Sequence, residues 1–453
     1  MGLFFGIQPK KVDFSHINIL IMKIKYIICG ALVALLLAAC QGGKTTSGEG
    51  GDTLRMKYAE LLTIVKHNDG AYTEAIIENP WKKGATLHKY TLVPKGKEGD
   101  ETVARLKDDI RENSALQMGK SCDIVRTPLE SNVVFTAPHC QLMYELGCKN
   151  AITGVCDKDY INIPDIKDRV KLSDGKASAT QANDSKASAQ KADKAIIDCG
   201  SSMQPDMERI IALQPEGLLI SPFENSGGYG KLDKLHIPII KTADYMEASP
   251  LGRAEWMKFY GMLFGSEERR VKSEEFNSNT SGVSCEQKAD SLFSAIEKEY
   301  LALKAEAAKL PQGLSILTER KMGSVWYVPG GKSTMGILLK DANAKYIFAD
   351  DTHSGSLAYG PERILSKGTQ IDVWAFKYFG GKALSKSDLL AEYEGYKALK
   401  PFTQNCIYEV NTSTQPYFEL TSFHPEILLR EFIILAHPKA TQFGKLRFYQ
   451  HLF

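Results

Sequence analysis

Three common catalytic signatures are absent from this chain of 453 residues. It has no G-x-x-x-x-G-K-[ST] loop, no H-E-x-x-H and no G-x-S-x-G, although many enzymes lack such short motifs. The formal net charge is only +2, with no basic stripe or interleaved aromatic platform, which argues against nucleic-acid binding. An apolar content of 43% and a charged content of 24% are ordinary for a soluble globular protein, and the length suffices for two domains.

Metal-binding patterns are also absent. None of the nine cysteines belongs to a C-x-x-C or to a Cys/His cluster with zinc spacing, so we predict no metal site. Seven cysteines follow residue 40, and in an exported chain some of them can oxidise while at least one stays unpaired. We expect Cys140, Cys148 and Cys156 to fill ordinary buried positions.

The N-terminal region predicts export. From Met22 the chain reads "MKIKYIICGALVALLLAACQGG", in which two lysines precede a short apolar run, too short for a spanning helix. "LAAC" at Leu37–Cys40 resembles the bacterial lipobox, which implies cleavage before Cys40, lipid attachment to it, and anchoring at the periplasmic face or elsewhere in the cell envelope. The alternative is an ordinary secretory signal with an incidental cysteine. Residues 1–21 lie upstream of the better start methionine, and 41–55 are predicted to be a flexible linker.

Strand and helix patterns alternate after the linker. Residues 61–81 alternate around an Asn-Asp-Gly turn and predict a β-hairpin. "DIVRTPL", the amphipathic "SNVVFTAPHCQLMYELG" and "AITGVCD" follow in a β-α-β order that is typical of parallel α/β sheets. Residues 173–194 are small and polar, which predicts a disordered surface insertion.

A single helix of over 20 residues is predicted from "KADSLFSAIEKEYLALKAEAAKL". Its apolar face consists of Ala289, Leu292, Phe293, Ile296, Tyr300, Leu303 and Ala307. Because strand–helix alternation restarts beyond it, we predict an α/β fold: two Rossmann-like lobes joined by one long helix, with an extra N-terminal β-hairpin. The expected bounds are 56–248 for the N-terminal lobe, 249–309 for the helical linker and 310–453 for the C-terminal lobe.

One short pattern occurs in both lobes. "QPDMERIIALQPEGLLIS" (204–221) and "YGPERILSKGTQIDVWAF" (359–376) each contain proline, then Glu-Arg-Ile, a loop and an apolar stretch. We expect Pro205 in a helix's first turn, with the carboxylates of Asp206 and Glu208 beside the positive end of the helix dipole. A carboxylate in the first turn stabilises any helix, so two ordinary helix starts would by themselves explain why a glutamate recurs at positions 208 and 362.

Four stretches together suggest a family. "MERIIALQPEGLLIS", "WYVPGGKSTMGILLKDANAKYIFAD", "PERILSKGTQIDVWAF" and "FHPEILLREFIILAHP" resemble the substrate-binding proteins of ABC importers for metal chelates, over roughly residues 120–440. The resemblance implies a helical-backbone periplasmic binding protein, monomeric and without catalytic residues or a cofactor, whose ligand is a ferric siderophore, haem or cobalamin. It also implies that Glu208 and Glu362 dock onto arginine pockets of a permease dimer. The second copy departs from the family pattern at Lys367-Gly368-Thr369.

In such a fold the ligand lies between the lobes, near the carboxyl ends of the strands. The expected ligand-binding residues are Phe223 and Tyr245 from the first lobe and Trp326, Lys332, Ser333, Tyr359 and Trp374 from the second. Aromatic rings would suit a planar macrocycle, and the polar groups would suit carboxylates or amides. For each ring the alternative is core packing.

The sequence allows more than one role for several polar residues and more than one function for the protein. Glu247 and Arg253 form either an interlobe ion pair or a ligand clamp, and His139 is expected on a helix face rather than on a metal. A chelatase-like enzyme would need an acid–base set from residues such as His139, Glu247 and His353. A further alternative is a surface scavenger of haem or another chelate that serves no permease.

Overall fold

The structure, a computed structural model, describes residues 51–67, 70–112, 122–173, 195–224, 229–265 and 283–453. The export signal with Cys40, all but the first residue of the predicted insertion, and two residues of the predicted hairpin turn lie outside these ranges.

The described strands are β1 (Asp52–Leu54), β2 (Leu62–His67), β3 (Tyr72–Glu78), β4 (Thr86–Pro94), β5 (Cys122–Thr127), β6 (Asn132–Val134), β7 (Ile152–Val155), β8 (Ile197–Asp198), β9 (Gly200–Ser201), β10 (Gln204–Pro205), β11 (Gly217–Ile220), β12 (Ile239–Lys241), β13 (Ile316–Leu317), β14 (Lys321–Met322), β15 (Val325–Pro329), β16 (Ser356–Tyr359), β17 (Val373–Tyr378), β18 (Ile407–Asn411) and β19 (Gln450–His451).

The described α-helices are α1 (Lys97–Glu112), α2 (Ala137–Glu145), α3 (Pro164–Ser173), α4 (Met207–Leu213), α5 (Pro250–Glu255), α6 (Met257–Phe264), α7 (Cys285–Ala307), α8 (Thr334–Asp341), α9 (Pro361–Leu365), α10 (Lys386–Glu392), α11 (Lys400–Gln404), α12 (Tyr417–Thr421) and α13 (Pro425–Ala436).

The N-terminal sheet is larger than the predicted hairpin. β2 and β3 pair antiparallel as expected, from Leu62 opposite Ile77 to His67 opposite Tyr72. They belong, however, to a five-stranded sheet in the order β1-β2-β3-β4-β5. The end of the predicted flexible linker forms β1, and β5 pairs in parallel with β4 instead of joining the lobe's parallel sheet. Parallel pairing requires a long crossover, and α1, which the sequence analysis did not predict, supplies it.

A parallel sheet forms the core of the N-terminal lobe. Its order is β12-β11-β6-β7-β8, with every pair parallel. The chain runs outward from β6 through β7 to β8 and then returns to the other side of β6 with β11. The strand order therefore reverses between β6 and β11, and in open α/β sheets such a reversal creates a crevice at the carboxyl ends.

The C-terminal lobe contains a second parallel arrangement. β13, β17 and β18 are parallel neighbours, and β19 closes one edge antiparallel to β18. β15 does not join this sheet, because it pairs antiparallel with β14 and β16. The α/β class with parallel sheets and a long connecting helix is thus confirmed, whereas the domain bounds stay a prediction.

Helix α7 connects the two lobes. Ser284 caps its N-terminus in a capping box with Gln287. The predicted apolar face is buried, except that Leu292 is only partly covered. This helix packs against α6 and against α13 of the C-terminal lobe. Gly261 of α6 permits the close approach, since a Cβ there would lie 2.9 Å from that of Ala289.

Two buried glutamates attach the N-terminal sheet to this core. The carboxylate of Glu255 accepts three successive backbone N–H groups at 2.7–3.0 Å, those of Lys57, Tyr58 and Ala59. The carboxylate of Glu247 accepts the next two, from Glu60 and Leu61, and the indole N–H of Trp256. The segment before β2 is therefore held by side chains rather than by a sheet.

We expect Glu255→Ala to lower the free energy of unfolding by about 2–4 kcal/mol, because it leaves three backbone donors without their acceptor. Urea denaturation followed by circular dichroism measures the change. Glu101→Ala, at an exposed position on α1, serves as the control and should stay within about 0.5 kcal/mol. Equal midpoints for the two variants would contradict the anchoring role.

Candidate ligand-binding cleft

The carboxyl edges of the two parallel sheets face each other. Tyr160 follows β7, and its ring contacts that of Phe379, the residue directly after β17, with 4.8 Å between ring centroids and 41° between the ring planes. Asn162 Nδ2 donates to the carbonyl oxygen of Thr412, which follows β18, at 2.9 Å. Residues beyond the strand ends of both sheets thus meet, and this meeting defines the candidate cleft.

Exposed aromatic rings surround these strand ends. Tyr160 is 59% exposed, Phe379 is 51% exposed, and Phe223, which follows β11 at the reversal of strand order, is 53% exposed. Large rings at the mouth of a crevice offer apolar surface that a ligand could cover. The site is therefore suited to a ligand with a flat or apolar face.

Asn162 joins the N-terminal lobe to the C-terminal lobe by hydrogen bonds. Its backbone N–H donates to Glu419 Oε1 at 2.7 Å, and its side-chain amide also reaches the carbonyl oxygen of Gln415 at 3.3 Å. Burial raises the pKa of Glu419 although this backbone bond opposes the shift. A single asparagine of the N-terminal lobe thus binds three positions of the C-terminal lobe.

A histidine between two carboxylates forms a second interlobe contact. His424 Nε2 lies 3.0 Å from Glu145 Oε2 on α2, and its Nδ1 lies 2.9 Å from Glu426 Oε1. Burial by itself would lower the pKa of His424, but the hydrogen bonds with Glu145 and Glu426 outweigh it and raise that pKa to about 10. The imidazole is consequently cationic at neutral pH and links the lobes by charge.

His139 is a structural residue behind the cleft. Its Nε2 lies 2.9 Å from Asp244 Oδ1 and 3.0 Å from the Tyr260 hydroxyl, and the side chain is buried. Burial would raise the pKa of Asp244, but His139, Arg253 and Tyr260 lower it overall. Phe423 of the C-terminal lobe packs edge-on against the His139 ring.

Glu247 and Arg253 do not form a pair. Arg253 Nε binds Asp244 Oδ2 at 3.2 Å, while Glu247 binds backbone groups of the N-terminal segment. His353 is largely exposed beside Asp351. Within the described part of the chain, no hydrogen bond or ion pair links His139, Glu247 and His353 to one another, so these three side chains do not form one acid–base set.

The two tryptophans predicted to bind ligand are core residues. Trp326 and Trp374 are fully buried, and both indole N–H groups donate to the Glu319 carbonyl oxygen at 3.0 Å. β17 is covered on both faces, as is typical of parallel strands, so Trp374 has no open side. In β15 the side chain that alternates outward is Tyr327, not Trp326.

The loop before α8 is used mainly for helix capping. Ser333 is buried, accepts the Gly336 N–H as the N-cap and donates to the Gly330 carbonyl oxygen at 2.7 Å. Its hydroxyl is thus occupied in this structure, while Lys332 next to it is exposed. Thr334 Oγ1 donates across to the Glu247 carbonyl oxygen at 2.9 Å.

Tyr359 and Tyr245 keep part of their surface accessible. Tyr359 is half-buried under the Arg363 guanidinium, which lies 4.3 Å from the ring centroid. The Tyr245 hydroxyl donates to the Pro222 carbonyl oxygen, directly before Phe223. A ligand-binding role of Lys332, Tyr359, Tyr245 and Phe223 stays a prediction.

The sequence analysis missed Phe379 and Asn162. Tyr378, the last residue of β17, is buried, and its neighbour Phe379 is exposed, because successive side chains point to opposite faces. The apolar stretch that predicts β17 ends at Phe376, and Phe379 is the second ring beyond it, after the buried Tyr378. No local pattern indicates Asn162, whose partners all lie in the other lobe.

Glu208 and Glu362 occupy equivalent exposed positions on the first turns of α4 and α9. Asp206 is the N-cap of α4 and accepts the Glu208 and Arg209 N–H groups at 3.1 Å, so the Glu208 carboxylate is not needed for capping. Pro205 lies in β10, one residue before the cap, rather than in the helix's first turn as expected. Neither glutamate has an ion-pair partner among the described residues, and their docking role stays a prediction.

The described residues offer neither a metal-binding cluster nor a membrane-spanning helix. No group of three or more His, Cys, Asp or Glu side chains there is arranged to hold a metal ion. No helix in the same ranges combines the length and apolarity that crossing a bilayer requires.

Two α/β lobes that meet beyond the carboxyl ends of their parallel strands are typical of a two-lobed binding protein. The model of the periplasmic binding protein family matches residues 173–405, just over half of the chain. The chain therefore belongs to the periplasmic binding protein family.

Individual relatives are more distant. A lipoprotein of Methanocaldococcus jannaschii is 22% identical over 405 residues, which cover 87% of this chain and 84% of the relative. A possible iron-binding (periplasmic solute-binding) protein of Staphylococcus epidermidis shares 14% identity at a TM-score of 0.44, over 68% of this chain and 99% of that one. A periplasmic heme binding protein of Pseudomonas aeruginosa shares 14% at a TM-score of 0.46, over 69% and 94%. At TM-scores this low, the similarity to these two structures says nothing about the ligand of this protein.

The charge on His424 predicts a pH dependence. A His pKa raised on folding contributes stability that is fully present below about pH 6.5 and is lost as pH rises through about 10. We expect His424→Gln to cost roughly 1–3 kcal/mol at pH 6.5 and progressively less toward pH 10. Urea denaturation at three pH values measures the difference from wild type. The exposed His353→Gln is the control, and a His424 effect that stays constant with pH would contradict the charged link.

Proposed function

We propose that this protein is a lipid-anchored substrate-binding protein that captures a metal chelate between its lobes and delivers it to an ABC permease. One observation carries the proposal: the exposed rings of Tyr160 and Phe379 meet beyond the carboxyl ends of strands from both sheets, and Phe223 is exposed after a third strand, β11. A ferric siderophore, haem or a corrinoid presents the flat or apolar face that such rings cover. The metal belongs to the ligand and is not a resident cofactor.

Membership in the periplasmic binding protein family supports a role in binding rather than in catalysis. The lipobox-like Leu37–Cys40 and the lipoprotein relative support the anchor, which would keep the protein close to a membrane partner. The separation of His139, Glu247 and His353 disfavours the chelatase alternative.

The permease contact is proposed for Glu208 and Glu362. Each carboxylate is exposed on the first turn of a short helix, one in each lobe, without an ion-pair partner among the described residues. Carboxylates on two rigid lobes can form charge-assisted hydrogen bonds with arginines of a two-fold symmetric partner. Because they lie outside the aromatic cleft, docking and ligand binding are separable by mutation.

Ligand binding is tested by equilibrium dialysis against haem, cyanocobalamin and ferric hydroxamates, read by each ligand's visible absorbance. The ligand's own absorbance is preferable to tryptophan quenching, because Trp256, Trp326 and Trp374 are buried. We expect saturable one-to-one binding of one class, and Tyr160→Ala or Phe379→Ala should each weaken it about 3- to 10-fold.

The matched control for these rings is Phe453→Ala. Phe453 is 90% exposed and follows β19, which runs antiparallel to β18, so it lies at the opposite edge of the C-terminal sheet. Its loss should leave affinity unchanged. Absence of binding across the panel by folded protein would overturn the chelate proposal, and equal losses at Phe453 would place the site elsewhere.

Docking is tested by uptake of the labelled chelate that binds in dialysis. We expect Glu208→Ala with Glu362→Ala to abolish uptake while ligand affinity stays at the wild-type value, since the carboxylates contact only the permease. Glu101→Ala, also an exposed glutamate, should support full uptake. Full uptake by the double variant would show that these glutamates are not the docking contacts.

A further inference from the structure

A small cavity lies on one face of the C-terminal sheet. Three neighbouring strands line it with Tyr378 of β17, Glu409 of β18 and Gln450 of β19. Glu409 lies directly opposite Gln450 in the β18–β19 pair, so both side chains are on the same face of the sheet. Residues 381–383, which follow β17, and Phe448, which precedes β19, complete the lining of a cavity of about 220 Å³.

The carboxylate of Glu409 is buried in this cavity. The residue is only 8% exposed, and its Oε2 atom has no hydrogen-bond partner among the described residues. The nearby Tyr378 hydroxyl donates to the Lys382 carbonyl oxygen at 3.1 Å. Burial raises the pKa of Glu409, although Tyr378, the Leu384 N–H and Arg320 oppose the shift. A buried carboxylate oxygen without a donor is unfavourable, and a ligand that brings a donor would remove that cost.

The nearest cationic side chains are paired with other carboxylates. Lys382 Nζ lies 2.9 Å from Asp388 Oδ1, and Arg320 forms an ion pair with Glu392. Neither forms an ion pair with Glu409 in residues 283–453, all of which the structure describes. The negative charge of Glu409 is therefore available to a ligand.

We propose that this cavity binds a small organic cation, a primary ammonium or guanidinium compound, whose N–H groups donate to the Glu409 carboxylate. The cavity is smaller than the roughly 300–1,000 Å³ typical of sites for drug-sized ligands, so it is too small for the metal chelates considered above. Phe379 points away from the face that carries Tyr378 and does not line the cavity. The inference is therefore independent of the proposed function.

The lining favours an organic cation over other small ligands. The carboxylate repels anions, and a divalent metal ion requires several oxygen ligands, whereas the described residues contain no group of three or more His, Cys, Asp or Glu side chains arranged to hold one. Hydrogen bonds from an ammonium to a carboxylate are stronger than those between neutral groups. The buried rings of Tyr378 and Phe448 provide apolar walls for a short alkyl chain, and a low local dielectric strengthens the charge pair.

The test compares three probes that share one alkyl chain and differ in their head group: n-propylammonium, n-propanol and propionate. Each is titrated at constant ionic strength into the full-length protein in detergent, and binding is read by saturation-transfer difference NMR. We expect saturable binding of propylammonium alone, because only its head group donates hydrogen bonds and carries a positive charge.

Two variants locate the binding. Glu409→Gln keeps the shape of the side chain and removes its charge, so it should weaken propylammonium binding about 10-fold or more. The matched control is Glu101→Gln, at an exposed glutamate on α1, which should keep the wild-type affinity.

A second measurement needs no variant. Saturating propylammonium chloride should slow hydrogen–deuterium exchange in peptides that span residues 378–384 and 409–415, relative to the same concentration of sodium chloride. Exchange in α1 should not change. This readout and the comparison of probes stay valid if Glu409→Gln fails to fold.

Three results would overturn the proposal. If folded wild type binds none of the probes, the cavity holds only water, and if propanol binds as well as propylammonium, the cavity selects an alkyl chain and not a charge. Undiminished binding by Glu409→Gln, or unchanged exchange around the cavity, would place the ammonium elsewhere on the protein.

Discussion

Buried glutamate carboxylates that accept backbone N–H groups join segments of this chain that are far apart in sequence. Glu255 and Glu247 bind the segment before β2, and Glu431 on α13 accepts three successive N–H groups before β19 at 2.6–3.0 Å. Glu419 binds the backbone of Asn162 across the lobe boundary. Burial raises the pKa of Glu247, Glu419 and Glu431, so these charges are stable only while the backbone donors remain in place.

Contacts between segments far apart in sequence also join the lobes at the candidate cleft. The Asn162–Glu419 bond, the His424–Glu145 pair and the Tyr160–Phe379 ring contact all cross between the lobes. Helix α7 contacts both lobes, so a wide separation would require this helix to bend or to repack. The arrangement favours small adjustments around a ligand over a large hinge motion, because the packed faces of α7 can slide only slightly before contacts are lost.

Local sequence patterns were sufficient to predict much of the fold. The buried face of α7, the β2–β3 hairpin and the helix starts at Glu208 and Glu362 follow from periodicity, turn residues and capping chemistry. These features depend on residues that are neighbours in sequence. The partner of β5, the crossover helix α1 and the sheet that β15 joins did not follow, because strand pairing is a choice among distant segments of similar apolarity.

The candidate site, like the fold, could be predicted from the sequence only in part. The sequence by itself determined the α/β class, the long helix and the surface position of the repeated glutamates, because these depend on local spacing. Only the tertiary structure decided that Trp326 and Trp374 are core residues, that Phe379 is exposed, and that Asn162 and His424 link the lobes. The physical reason is that burial and hydrogen-bond partners depend on which distant segments pack together. Glu319 and Tyr396 of the same lobe contact the two tryptophans, whereas the partners that Asn162 and His424 bind across the boundary come from the opposite lobe.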